Sequence, residues 1–360
     1  MLIKTNNFNI QTAHDQPLVV QLPLGPLKRL ERENIQDQLL SSNATRALGS
    51  GERKIPEEAD EFRTCFERDK DRILHSSAFR RLAGKTQVFT FPKDHQRTRL
   101  THALEVAQVG SSIAKATRLN VDLTQAIALG HDCGHAPGGH AGEKALSDLS
   151  QGEFDHAIWG ADVALLPLNL CKQTLDGIRN HSWSRPTPSS LEAEVVSWAD
   201  RIAYCCHDLE DALTAGIVQY RQIPQIILDL VGPSRNQQLN TFIGSVIDCM
   251  NQTGIVGMKQ DLAQALDALK QFNTEQIYLR PASKLQSKII YSIVTALVQY
   301  FSETPSTFGS FASPGSKEAT EQAINYVSGM TDRFAFDTAS QELGWDMNLI
   351  HMVLERPTTT

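Results

Sequence analysis

Apolar residues recur at helical spacing along most of the chain, and no stretch alternates apolar and polar residues convincingly enough to indicate a strand. One stripe with i, i+4, i+7 and i+11 spacing comprises His102, Val106, Val109 and Ile113. This stripe predicts a helix that runs to about Leu119, with His102 facing inward. Comparable patterns predict helices over residues 57–83, 122–130, 156–170, 191–215, 238–253, 258–272, 282–301 and 317–343. The fold class that we expect is therefore all-α.

The two ends of the chain are less regular than its middle. Residues 1–50 are polar and irregular, apart from a helical pattern within residues 25–40. We expect this part to be an N-terminal extension that is partly ordered. Residues 304–315 are rich in proline, serine, glycine and threonine, which predicts a loop before the last helical segment.

Most of the chemistry-bearing residues lie in one stretch, residues 131–143, which reads His-Asp-Cys-Gly-His-Ala-Pro-Gly-Gly-His-Ala-Gly-Glu. Histidine and carboxylate side chains are residue types that bind metal ions and transfer protons. The predicted helix over residues 122–130 places His131 and Asp132 at a helix C-terminus, where the partial negative charge favours a cation. Gly134 suits a left-handed residue at that helix end. The stretch therefore predicts a metal site.

Two further residues complete a ligand set for a divalent ion. His102 lies at the start of one predicted helix, and Asp200 lies within another, on a polar stripe that also carries Tyr204 and Asp208. Together with His131 and Asp132 they offer two imidazoles and two carboxylates, a mixed set with open positions for water and substrate. Manganese, magnesium, iron and zinc are all compatible with these ligand types.

Residues near this set indicate reactions of a phosphate. Arg99 and the basic stretch within residues 68–85 are positioned to neutralise phosphate charge. His140 follows two glycines and precedes Glu143 by three residues, as expected of an acid and the carboxylate that orients it.

Composition excludes several classes of protein. The net charge is −7, so the chain has no overall basic field for nucleic acid. None of the six cysteines forms a C-x-x-C pair, which favours free thiols and a cytoplasmic location. No apolar run approaches the length of a membrane span.

The ordered motifs of the chain resemble those of the deoxyguanosine triphosphate triphosphohydrolase-like family, within the HD superfamily. His102, the His131–Asp132 pair and Asp200 match the HD metal signature. The matching stretches are residues 79–89, 97–102, 131–143, 199–212 and 329–335. They follow the family's order and extend across residues 54–343, so the resemblance covers most of the chain.

The resemblance implies an HD-domain helical fold with additional C-terminal helices. We expect an N-terminal extension at 1–50, an HD phosphohydrolase domain at 51–303, and a C-terminal helical segment packed on it at 304–360. The implied reaction hydrolyses a deoxynucleoside triphosphate, with dGTP favoured, to deoxynucleoside and tripolyphosphate. The implied cofactor is Mn²⁺ or Mg²⁺, with iron, cobalt, nickel and zinc as alternatives. A homo-oligomer is also implied, and an allosteric nucleotide or single-stranded DNA are further candidate ligands.

The same resemblance assigns roles to individual residues. It makes His102, His131, Asp132 and Asp200 the metal ligands and His140 and Glu143 the catalytic pair. It makes substrate contacts of Gln87, Arg99, His156, Arg201, Tyr204 and Asp208. Two positions depart from the family: Ala157 stands where asparagine is usual, and Cys133 where leucine or isoleucine is usual.

Two alternatives stay open at the level of sequence. One is another HD phosphohydrolase, such as a nucleotidase or a (p)ppGpp hydrolase. The latter normally has an acidic pair after the HD helix, where this chain has Gly138, Gly139 and His140. The other alternative is a regulatory helical protein that binds nucleotide or nucleic acid without catalysis. The complete ligand set and the pairing of His140 with Glu143 argue against it.

Overall fold

Helices form nearly all the regular structure of the computed structural model, which describes residues 2–5, 8–88, 96–150, 152 and 154–346. The exception is an antiparallel hairpin, in which strand β1 (Leu2–Thr5) pairs with strand β2 (Phe8–Gln11). It lies in the predicted N-terminal extension, where the sequence shows no convincing strand pattern. The predicted all-α fold is confirmed.

Fifteen α-helices follow in the described residues. They are α1 (Arg29–Leu39), α2 (Cys65–His75), α3 (Ser77–Arg81), α4 (Arg99–Ala116), α5 (Val121–Gly130), α6 (His140–Leu149), α7 (His156–Trp159), α8 (Lys172–Asn180), α9 (Leu191–Thr214), α10 (Gln225–Leu230), α11 (Arg235–Thr253), α12 (Gln260–Asn273), α13 (Pro281–Glu303), α14 (Lys317–Ser328) and α15 (Asp332–Leu343). Within the part of the chain that is described, no helix combines the length and apolar character needed to cross a membrane.

Side-chain caps explain where the sequence pattern misplaced helix ends. The helix predicted over residues 57–83 is shorter, because Ser76 ends α2 and its hydroxyl accepts a hydrogen bond from the Phe79 N–H, 3.1 Å away, to begin α3. The helix predicted over residues 317–343 is divided in the same way. There Thr331 accepts a hydrogen bond from the Phe334 N–H at 3.3 Å and begins α15.

The larger hydrophobic core forms where α4, α5 and α9 pack against one another. Fully buried side chains on these helices include Val106, Ile113, Leu123, Ile127 and Ile202. Burial of each such side chain stabilises the fold by roughly 1.5–3 kcal/mol. Since each of the three helices contacts the other two, the end of α5 is held beside the start of α4 and the middle of α9.

A second hydrophobic cluster joins the C-terminal helices to α6. Helix α13 packs against α6, α14 and α15, and its Ile290, Ile293 and Leu297 are buried with Leu146 of α6 and Phe336 of α15. A boundary after residue 303 would separate α13 from α14, which share this cluster. The predicted division into 51–303 and 304–360 stays a prediction.

Buried and half-buried polar contacts attach residues 29–50 to the helical core. The Glu192 carboxylate on α9 accepts hydrogen bonds from the N–H groups of Thr45 and Asn120, each at 2.9 Å. Arg32 on α1 donates two hydrogen bonds to Glu67 on α2, at 2.9 and 2.6 Å. Helix α1 confirms the helical pattern seen within residues 25–40.

Candidate active site

Three helices bring together the four predicted metal ligands, His102, His131, Asp132 and Asp200, which we call the metal-ligand cluster. His102 Nε2 lies 3.0 Å from Asp200 Oδ1, and His131 Nε2 lies 3.2 Å from Asp132 Oδ1 and 3.7 Å from Asp200 Oδ1. His102 comes from the first turn of α4, His131 and Asp132 from the end of α5, and Asp200 from the middle of α9. The packing of these helices therefore assembles the cluster.

The His131 side chain provides a test of whether a cation fits here. Its Nδ1–H donates to the Ala128 carbonyl oxygen at 2.6 Å, which fixes the tautomer and leaves a lone pair on Nε2. That Nε2 is buried, makes no hydrogen bond to any residue that the structure describes, and faces two carboxylates. Such an arrangement is typical of a histidine prepared to bind a metal. The residues present fit a divalent ion.

The carboxylates of the cluster are held in their ionised form. Burial alone would raise the pKa of Asp132, but His131, His135 and Arg99 hold it well below its usual range. Arg99 donates to Asp132 Oδ2 at 2.8 Å, and both side chains are buried. Burial also opposes ionisation of Asp200, yet the hydrogen bond from His102 lowers its pKa. Two anionic ligands are thus ready for a cation.

A second group of histidines surrounds Glu143 on α6. Oε1 of Glu143 accepts a hydrogen bond from Nδ1 of His135, while its Oε2 lies 3.3 Å from His140 Nδ1 and 3.4 Å from His156 Nδ1. The His135 and His156 rings stack with centroids 3.7 Å apart. His135 Nε2 also lies 2.9 Å from Asp132 Oδ1, so this group adjoins the metal-ligand cluster.

The members of the second group differ in exposure and charge. The His140 side chain is 84% exposed, whereas His135 is buried. Burial and the nearby Arg99 lower the pKa of His135 to about 4. Burial opposes ionisation of Glu143, but His135 and His156 hold its pKa well below the usual range. The predicted catalytic pair therefore consists of an accessible imidazole and an ionised carboxylate.

Gly134 and Gly138 lie where neighbouring segments approach too closely for a side chain. Gly134 does not adopt the left-handed conformation that the sequence predicted. A Cβ there would lie 2.1 Å from the His156 carbonyl oxygen, so glycine is required because α7 approaches closely. Gly138 has a φ of +71°, and a Cβ there would lie 2.3 Å from Cγ2 of Ile290 on α13. The turn before His140 is therefore shaped by its own backbone and by α13.

Both groups line or underlie a cavity of about 570 Å³. The predicted site residues along its wall are Gln87, Arg99, His102, Asp132, His140, His156, Asp200, Tyr204 and Asp208. His131 and Glu143 are not among the lining residues, and neither is Arg201. Its guanidinium lies 3.2 Å from the centre of the Trp183 ring and 3.5 Å from Asp267. The wall also includes Lys270 on α12 and Tyr278, which follows that helix.

Sequence reasoning gave no role to two of the buried histidines. His135 stands within the histidine-rich stretch, four residues after His131, and that spacing was a usable signal. His181 follows the end of α8 and donates from Nδ1 to the Ile178 carbonyl oxygen at 2.8 Å, as His131 does at the end of α5. Its ring lies 4.9 Å from the His131 ring. His131 and His181 each come directly after a helix. This shared position could indicate a related role only when both helix ends are known.

Comparisons with known proteins assign the fold and the family. The model of the HD domain matches residues 99–205, and that of the phosphohydrolase-associated domain matches residues 256–341. A deoxyguanosinetriphosphate triphosphohydrolase-like protein of Caldanaerobacter subterraneus is 39% identical over 314 residues, 84% of this chain and 92% of the relative. The chain belongs to the deoxyguanosinetriphosphate triphosphohydrolase-like family.

Other relatives of the same name agree. One from Desulfatibacillum aliphaticivorans is 37% identical over 82% of this chain and 92% of its own length. One from Clostridium perfringens is 37% identical over 84% of this chain and 93% of its own length. A crystal structure of a hypothetical protein from Aquifex aeolicus gives a TM-score of 0.49 at 16% identity, over 79% of this chain and 70% of that one, and adds nothing to the assignment.

The residues that line the cavity of this triphosphohydrolase-like chain come from both family matches. The HD match contains the metal-ligand cluster and the histidines around Glu143. The phosphohydrolase-associated match contains Lys270, Tyr278 and Ile290, which also line the cavity. Residues of both matched segments therefore form the cavity wall.

Proposed function

We propose that this chain hydrolyses deoxynucleoside triphosphates in a reaction that depends on a divalent metal ion, releasing a deoxynucleoside and tripolyphosphate. The observation that carries the proposal is the opening of the metal-ligand cluster, with Arg99 and His140 beside it, into a cavity of about 570 Å³. A cavity of this size suits one small-molecule ligand. The names of the relatives support dGTP as the first substrate to test.

The four residues of the metal-ligand cluster would hold the ion, and the Nε2 of His131, which has no hydrogen-bond partner in the described part of the chain, is its clearest ligand atom. When bound, the ion would polarise a phosphate oxygen as a Lewis acid and lower the pKa of a bound water. The carboxylate oxygens of the cluster suit Mn²⁺ or Mg²⁺, whereas its imidazoles suit iron, nickel and zinc, so these metals and cobalt remain alternatives.

At the phosphate end, side chains of the chain supply charge and a proton. Arg99 lines the cavity, and its guanidinium offers N–H donors to a phosphate oxygen. His140 lies at the cavity wall with Nδ1 towards Glu143, which leaves Nε2 to protonate the departing 5′ oxygen. The ionised Glu143 would orient the ring and stabilise its charged form, as carboxylates do beside catalytic histidines.

At the nucleoside end, Tyr204 and Asp208 on α9 face the cavity together with Tyr278. The Tyr278 hydroxyl donates to Asp208 Oδ2, which leaves Oδ1 for a hydroxyl of the sugar. Tyr204 beneath the sugar would exclude a 2′-hydroxyl by steric clash and so favour deoxynucleotides. Gln87, whose buried Oε1 accepts no hydrogen bond from the described residues, is available to a further polar group of the substrate.

The test is a product analysis with the full-length chain. The protein is stripped of metal with a chelator, reloaded with Mn²⁺ or Mg²⁺, and incubated with each dNTP and NTP in ¹⁸O-labelled water. We expect deoxynucleoside and tripolyphosphate in equal amounts, with the label in tripolyphosphate, because water attacks the α-phosphorus.

Each other outcome contradicts the proposal and indicates an alternative. Nucleoside monophosphate with pyrophosphate would indicate a pyrophosphohydrolase, and release of orthophosphate would indicate a nucleotidase. Nucleotide binding without turnover in any metal-loaded sample would indicate a regulatory nucleotide-binding protein.

A further inference from the structure

The side chain of Asp332, the first residue of α15, is hydrogen-bonded to two loops of the site. Its Oδ1 accepts from the Gly138 N–H at 2.7 Å. Its Oδ2 accepts from the Thr86 N–H at 2.9 Å and from the Thr86 hydroxyl. The residue is 3% exposed, so these hydrogen bonds are shielded from water. A buried carboxylate with donors from two loops fixes the position of both.

Lys85 forms a second set of hydrogen bonds between the same segments. Its buried ammonium group donates to the carbonyl oxygen of His135 and, at 2.9 Å, to that of Ser328. Its own carbonyl oxygen accepts from the Arg99 N–H at 3.3 Å. The turn between α14 and α15 is therefore joined to the segment at Lys85–Thr86, to the loop at residues 135–138 and to the start of α4.

The joined loops carry side chains of the cavity wall. Thr86 immediately precedes Gln87, and Gly138 lies two residues before His140. The exposed His140 side chain has little packing around it, so its position depends on the backbone of the preceding turn. That turn is fixed by Asp332 from one element and by Ile290 from another.

The helix itself does not need this carboxylate as its cap. Thr331 is the N-cap of α15, and its hydroxyl accepts from the Phe334 N–H. Both oxygens of Asp332 instead accept hydrogen bonds from outside its own helix, at Thr86 and Gly138. The start of α15 and the active-site loops are thus linked by a contact that helix formation alone does not require.

We propose that Asp332 is a positioning residue, which holds the turn at Gly138 so that His140 reaches the 5′ leaving oxygen. The proposal rests on the proposed function, since it assigns Asp332 to the step in which His140 donates its proton. An asparagine at 332 would retain one acceptor oxygen but would set an N–H₂ donor against the N–H of either Gly138 or Thr86. The turn would then shift, and a displacement of about 1 Å far from the chemistry can lower a rate by roughly 10²-fold.

The test is a double-mutant cycle on the full-length, metal-loaded enzyme. Asp332→Asn is expected to lower kcat for dNTP hydrolysis by roughly 10²-fold, at unchanged metal content. In a His140→Ala background the same substitution should change kcat by no more than about threefold, because the proton donor that Asp332 positions is already absent. Independent sites would instead give the same loss of kcat in both backgrounds. An equal loss in both backgrounds, or an unchanged kcat for Asp332→Asn alone, would overturn the proposal.

The matched control is Thr331→Ala, which removes the cap of the same helix but keeps all the Asp332 contacts. It should lower the melting temperature while leaving kcat near that of the wild type. If Asp332→Asn does not fold, Thr86→Val replaces it, because it removes only the hydroxyl donor. It should give a smaller loss of kcat that again disappears in the His140→Ala background, and an equal loss there would overturn the proposal.

Hydrogen exchange separates this proposal from the proposed function. If the wild-type chain hydrolyses no dNTP, the proposed reaction fails, but the positioning role can still be measured. The amides of Gly138 and Thr86 should lose protection in Asp332→Asn and keep it in Thr331→Ala. Unchanged protection in Asp332→Asn would overturn the positioning role whatever the activity.

Discussion

The carboxylate of Glu143 binds the buried His135 through one oxygen and approaches the exposed His140 through the other. His135 in turn lies 2.9 Å from Asp132 Oδ1 through its second ring nitrogen. A continuous series of polar contacts therefore runs from the accessible His140 to the metal-ligand cluster. The group that we propose as the acid and the groups that would bind the metal are parts of one network, so perturbing one is expected to affect the other.

Substitution in the metal-ligand cluster should remove metal and activity together. We expect His131→Ala and Asp132→Ala to lose bound metal and dNTP hydrolysis, because each removes a ligand atom of the set. The fold should survive, since the hydrophobic core of α4, α5 and α9 does not depend on one ion. Elemental analysis, circular dichroism and turnover measure these effects, with His75→Ala, at an exposed position on α2, as control. Full metal occupancy in a folded His131→Ala variant would remove His131 from the ligand set.

Replacing Gly138 should disturb both stability and catalysis. Gly138→Ala places a Cβ at a φ of +71° and 2.3 Å from Cγ2 of Ile290. The left-handed conformation alone costs about 1–2 kcal/mol for an alanine. Gly216→Ala is a matched control, because Gly216 has a φ of +70° and no atom of the described residues would lie within 4 Å of its Cβ. Urea unfolding should show the larger loss for Gly138→Ala, and only that variant should lose kcat. Equal losses of stability would show that Ile290 accommodates the methyl group.

Helical spacing predicts which side chains share a face, and the structure brings the four predicted ligands together; that they bind a metal stays a prediction. His102 and Asp200 were found in this way, on two helices far apart in the chain. Spacing does not state where a long side chain extends. Arg201 lies seven residues before Asp208, yet its guanidinium packs on Trp183 from a loop whose path the sequence does not determine. Asp332 was unpredictable for a similar reason, since its partners lie 194 and 246 positions away in the chain.

Asp208 should make stability depend on pH in a direction opposite to that of most carboxyl groups. Burial raises its pKa to about 7 in the folded chain, from an ordinary value of 3.8. Between these values the folded state binds more protons than the unfolded state, so stability falls as pH rises from about 4 to 7. Asp208→Asn removes this contribution. Urea unfolding in the presence of a chelator should therefore give the variant a free energy of unfolding that, relative to wild type, is higher at pH 8 than at pH 5. A difference that does not change with pH would show that Asp208 is ionised throughout.

His140 offers the sharpest distinction between catalysis and binding. It is the first residue of α6, largely exposed, and contacts Glu143 at the cavity wall, so its removal leaves no hole in the core. If it protonates the 5′ leaving oxygen, His140→Ala should keep metal and dNTP binding while kcat falls by roughly 10²–10⁴-fold, the usual contribution of a positioned proton donor. Lys144→Ala, at an exposed position on the same helix, is the control and should retain wild-type turnover.

Calorimetric dNTP affinity and single-turnover rates on both variants decide the role of His140. Turnover of His140→Ala within about threefold of wild type, far less than that usual effect, would exclude His140 as the acid. Lost affinity with unchanged turnover at saturation would make it a residue that binds substrate, because the barrier from the bound complex would then not depend on its proton.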